Sequence, residues 1–177
     1  MCQELGPSAI EKHADKIVEV VLLLLDKKAH CQIKKGGKGE NEEEDDEDEQ
    51  HDDDEEDDDE DDEDLDHDEI ILGNTTDVII DMARVLGDQF LTYLTRIGPS
   101  LVRYLDDSHP KSDIIMVIGC LAETFNQCQA AIPVYFRDFL QIILKNSKTD
   151  DSGLNRNVAY AIGILAQYSG PMLGQHL

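Results

Sequence analysis

The sequence predicts an all-α fold: an α-solenoid of about three antiparallel helix pairs, interrupted by a disordered acidic loop insertion. Apolar residues recur at spacings of three and four along most of the chain, which places them on one helix face. No segment shows sustained strand alternation. Two short motifs recur at a single offset of 44 residues, and repeats of that period are built from helices.

The first helix is expected over residues 7–34, within a unit spanning 1–35. Ser8 is its N-cap and Glu11 completes a capping box after Pro7. Ile10, Ala14, Ile17, Val18, Val21, Leu22, Leu24 and Leu25 form a broad apolar stripe, wide enough to pack between neighbours. The glycines at 36, 37 and 39 end it. Residues 36–64 are expected to be a disordered acidic loop. Helical spacing resumes over 65–87, the second helix of the first repeat, with Val78, Ile79, Met82, Val85 and Leu86 on its face and Gly87 as C-cap.

The second repeat is assigned to 88–130. Phe90, Leu94, Ile97, Leu101 and Leu105 mark its first helix, and Pro99 is expected to kink or split it. Ile114, Ile118, Leu121 and Phe125 mark its second. The third repeat is assigned to 131–177. Pro133 opens a helix carrying Phe136, Phe139, Leu140, Ile143 and Leu144, and the last helix carries Val158, Ile162 and Leu165.

Asp106-Asp107-Ser108 recurs as Asp150-Asp151-Ser152. Ile118-Gly119-Cys120-Leu121-Ala122-Glu123 recurs as Ile162-Gly163-Ile164-Leu165-Ala166-Gln167. The offset is 44 residues in both cases. Two helices per unit at this period are the mark of HEAT or armadillo arrays. Their units bury apolar faces on one another, so apolar surface is expected to be exposed at both ends of the stack.

Within residues 40–69, 25 of 30 positions are Asp or Glu, with no Lys or Arg. Ionised carboxylates without partners cannot be buried, so this run is expected to be solvated. The net charge of the chain is -25, equal to the charge of the run alone. The helical body is therefore close to neutral. Nucleic acids and anionic membranes need a cationic face and are not expected partners; a basic protein is. The expected cargo-contacting residues are Glu42, Glu43, Glu44, Asp45, Asp46, Asp52, Asp53, Asp54, Glu55, Glu56, Asp57, Asp58 and Asp59.

No catalytic constellation is present, and the chain is not expected to be an enzyme or to carry a cofactor. A disordered carboxylate run cannot hold the fixed geometry of acid–base catalysis. It lacks the glycine of an EF-hand loop, and no metal site is expected. Cys2, Cys31, Cys120 and Cys128 include no CxxC pair. Cys120 and Cys128 lie eight apart on one predicted helix, a rise of about 12 Å that precludes a disulfide. Free thiols fit a reducing cytosol or nucleus. The longest strongly apolar segment, 17–25, falls short of the roughly 20 residues a bilayer needs.

Over residues 65–170, with further support from 23–32, the chain resembles the importin-β (karyopherin-β) superfamily of nuclear transport receptors, most closely its importin-4-type branch. The resemblance is carried by Gly119-Cys120-Leu121-Ala122-Glu123, by Gly87-Asp88-Gln89-Phe90, and by Arg156-Asn157-Val158-Ala159 leading into Gly163-Ile164-Leu165-Ala166. It implies a segment of a HEAT superhelix that binds basic cargo such as histones and ribosomal proteins and shuttles between cytoplasm and nucleus. It also implies contact with FG nucleoporins, expected near 90–105 and 136–144, and cargo release on meeting Ran–GTP. The contrasting expectation is an acidic histone-chaperone-like scaffold with no transport role.

Overall fold

The structure is a computed structural model that describes residues 10–32 and 57–170, with side chains described from residue 67 onward in the second segment. Six α-helices are described: α1 (Ala14–Leu25), α2 (Asp57–Leu86), α3 (Leu91–Arg103), α4 (Lys111–Gln127), α5 (Ile132–Asn146) and α6 (Ser152–Tyr168). Short 3-10 turns at Gly87–Phe90 and Gln129–Ala131 link successive pairs. No strand occurs among the described residues.

The helices form two layers of a short solenoid. Helices α2, α4 and α6 stack side by side as the inner layer, and α1 packs on α3 in the outer layer. The layers join where α1 packs on α2 and α5 packs on α6. One continuous core runs between them and includes Phe90, Ile97, Leu101, Ile118, Phe136 and Ile143, each no more than 1% exposed. The predicted stripes of α3 and α4 are buried throughout.

Three boundaries differ from expectation. Helix α1 stops at Leu25, not near residue 34. Lys27 adopts a left-handed backbone (φ 54°). Its N–H bonds to the Leu24 carbonyl at 3.1 Å while the Lys28 N–H reaches the Leu23 carbonyl at 2.8 Å. These paired bonds are a Schellman closure, usually built on glycine, and Lys27 hides it from composition. Helix α2 begins at Asp57, inside the segment expected to be loop. Acidic residues are favoured in a first turn, where the helix dipole is positive. Helix α3 runs unbroken through Pro99, so the expected split does not occur. The Ser8 cap and acidic positions 40–56 lie outside the described residues.

The two Asp-Asp-Ser turns also differ. Asp151 caps α6, accepting from the Leu154 N–H at 2.8 Å. Pro110 occupies the cap position of α4 without a side-chain bond. Asp106 instead closes its own turn on the Ser108 N–H at 3.0 Å, and Asp107 pairs with Lys145 at 2.7 Å.

Candidate functional site

In the outer layer, α3 and α5 stand apart over α4 and leave an apolar groove of about 390 Å³. Leu94, Gly98 and Val102 form one wall and Tyr135, Phe139 and Ile142 the other, over a floor of Leu121 and Phe125. The floor is built from packed rings: Phe125 and Phe139 meet edge to face at 4.8 Å, and Tyr135 lies nearly parallel to Phe125 at 6.2 Å. Such contacts add about 0.5–1.5 kcal/mol beyond area burial. A Cβ at Gly98 would meet no described atom within 4 Å, so the missing side chain leaves its share of the groove open. Pro99 has no N–H to offer the Thr95 carbonyl one turn back. Both residues line the groove. The volume lies within the range of pockets that enclose small ligands.

The end of the acidic run is tied to the edge of the stack. Asp68 accepts from Lys27 at 2.6 Å and from Gln32 at 3.4 Å. Beside it, Asp26 accepts from Lys28 at 3.0 Å, from Ser100 at 3.1 Å and from Arg103. The Lys28, Arg103 and Ser100 bonds hold the Asp26 carboxyl below its usual range, although its partial burial acts the other way. Tyr104 donates to the Leu25 carbonyl at 2.8 Å, and burial pushes its phenol up to about 12. These contacts join α1, α2 and α3 at the point from which the run departs.

The expected cargo residues Glu42 to Glu56 lie outside the described residues. Asp57, Asp58 and Asp59 lie at the start of α2, and their side chains are not among those described. The expected contact regions at 90–105 and 136–144 coincide with α3 and α5, but not all of their residues reach the groove. Phe90 and Leu105 belong to the core, and the exposed Leu144 lies outside the lining. The Phe125 floor was not foreseen. Its only signal is a buried-stripe position flanked by helices of neighbouring repeats.

Cys120 and Cys128 are buried and free, and Cys31 is exposed and free. Burial pushes the Cys120 thiol up to about 12; a thiol held protonated is a poor nucleophile. Among the described residues no three His, Cys, Asp or Glu side chains gather as a metal-holding group. No described helix is long and apolar enough to cross a membrane.

No protein-family model matches the chain. Over 106 residues, 60% of its length, the chain is 26% identical to a protein of Schizosaccharomyces pombe described as a probable importin subunit beta-4. The match spans about 10% of that protein.

Proposed function

We propose that this chain acts as a segment of an importin-β-like nuclear transport receptor, with the α3–α5 groove taking Phe-Gly segments of nucleoporins. The carrying observation is that groove: an aromatic floor and a glycine-opened wall between outer helices of adjacent repeats. An aromatic side chain would enter over Phe125. The partial similarity to the importin subunit supports the same class. The importin-4-type assignment, shuttling between cytoplasm and nucleus, and release by Ran–GTP belong to this proposal.

The acidic run would attract basic cargo, histones and ribosomal proteins among them. Exposed charges are screened beyond about 8 Å at physiological salt, so the run raises encounter rate more than it fixes geometry. The two features would then serve different partners.

Fluorescence anisotropy of a labelled Phe-Gly-repeat peptide tests the groove. The reading requires saturable binding, lost when Ser replaces each Phe of the peptide and lost in Gly98→Leu. Equal binding by wild type and Gly98→Leu would refute it. The run alone favours a second reading, an acidic histone chaperone with no transport role. Basic cargo released by Ran–GTP supports transport; cargo held regardless of Ran–GTP supports the chaperone.

A further inference from the structure

The lining of the α3–α5 groove holds one charged residue, Asp138. It shares the α5 wall with Tyr135, Phe139 and Ile142, at the spacing of a single helix face. It stands one turn from Tyr135 and one turn from Ile142, midway along that wall, with neighbouring Cβ atoms about 5–6 Å apart. Its side chain is exposed, and among the described residues no ion pair or hydrogen bond engages its carboxylate. The Thr95 hydroxyl, on the opposite wall, spends its proton within its own helix, donating to the Thr92 carbonyl at 2.7 Å.

The cations of the two flanking helices are held elsewhere. Arg96 pairs with Asp15 at 2.6 Å, Arg103 with Asp26, and Lys145 with Asp107 at 2.7 Å. Arg137 precedes Asp138 in the chain, but adjacent helical residues do not face each other, and Arg137 is not part of the lining. Among the described residues, the groove therefore presents an apolar floor with a single uncompensated negative charge beside it.

We propose that Asp138 sets the charge specificity of the groove: it favours Phe-Gly segments that carry Lys or Arg beside the phenylalanine and disfavours those flanked by Asp or Glu. This selectivity rests on the reading of the groove as a Phe-Gly site. Exposed charges act over about 8 Å at physiological salt, which covers residues adjoining a phenylalanine seated between Phe125 and the α5 wall. A Lys there gains a partner. A Glu meets a like charge, and a repulsive element discriminates between partners as an attractive one does. Each exposed pairing of this kind changes affinity by about two- to fivefold.

Anisotropy titration of the full chain with three labelled peptides tests this proposal. They share one Phe-Gly segment and differ in carrying Lys, Ser or Glu beside the phenylalanine. At physiological salt, wild type is expected to bind the Lys peptide about two- to fivefold more tightly than the Ser peptide, and the Glu peptide more weakly by a similar factor. Asp138→Asn leaves the Ser peptide unaffected and draws the three affinities together, and Asp138→Lys inverts their order. Asp77→Asn removes an exposed carboxylate from α2, away from the groove, and keeps the wild-type spread. The exposed position of Asp138 lets its variants retain their helical circular dichroism. A wild-type spread in Asp138→Asn, or an equal narrowing in Asp77→Asn, overturns the role of Asp138 while leaving the groove as a Phe-Gly site. A Ser peptide that wild type fails to bind overturns both.

Discussion

Asn157 reaches across from α6 to donate to the Ile115 carbonyl of α4 at 2.8 Å, and Gly119 is the residue that lets it through. A side chain at 119 would place its Cβ 2.9 Å from the donating nitrogen. The glycines at 119 and 163 share a repeat position in sequence but not an environment.

Alanine at each site separates the two effects. Replacing a helical glycine with alanine gains about 0.8–1.0 kcal/mol in propensity. Gly163→Ala meets open space and is expected to stabilise by about that much. Gly119→Ala displaces the Asn157 amide and forfeits about 0.5–1.5 kcal/mol of hydrogen bonding, which cancels the gain. Urea unfolding monitored by circular dichroism measures the difference. Equal stabilisation by both variants would show that the Asn157 bridge contributes nothing.

A pH-dependent prediction follows from Glu123. Burial would raise its carboxyl, but hydrogen bonds from Tyr160, Gln127 and Asn126 outweigh it and hold the group below the usual 4.5. The folded state therefore binds this proton less readily than the unfolded chain. The associated stability is present above pH 4.5 and is lost as pH falls through the folded value. Tyr160→Phe removes one donor. Its destabilisation relative to wild type is expected at neutral pH and to shrink below pH 4.5 in thermal melts. A gap that widens on acidification would contradict this.

The start of α2 defines how to remove the acidic run cleanly. Deleting residues 40–56 leaves the helix from Asp57 and its Lys27–Asp68 tie untouched. Affinity for a Lys-rich histone-tail peptide is expected to fall, and its dependence on salt to flatten. Isothermal titration at two ionic strengths checks both. Unchanged affinity at low salt would remove the run from cargo binding.

Much of the fold was legible because apolar periodicity encodes it directly. Phe90, Leu94, Ile97 and Leu101 are spaced as a helix face and are buried as one. Periodicity marks a face as apolar without saying what covers it. Val78, Leu144 and Ile162 fit their stripes yet are 41%, 55% and 43% exposed. The end of α1 was hidden because Lys27 takes a conformation that sequence readers assign to glycine. Pro99 misled in the opposite direction: one lost backbone bond does not outweigh a helix whose Leu94, Ile97 and Leu101 are all in the core. The α3–α5 groove was legible only as a neighbourhood. Its opening depends on how far two helices of different repeats stand apart, and no local pattern sets that distance.

An aromatic side chain from a Phe-Gly segment, if it seats between α3 and α5 as proposed, would lie beside Val102. The chain contains no tryptophan, and the exposed Val102 lines the groove. A Val102→Trp variant therefore reports on the groove with the only indole in the protein. Titration with a Phe-Gly-repeat peptide should shift its emission to shorter wavelength and saturate, while the same peptide with Ser for Phe should leave it unchanged. Emission that stays constant across the Phe-Gly titration, or shifts equally with both peptides, would contradict the account.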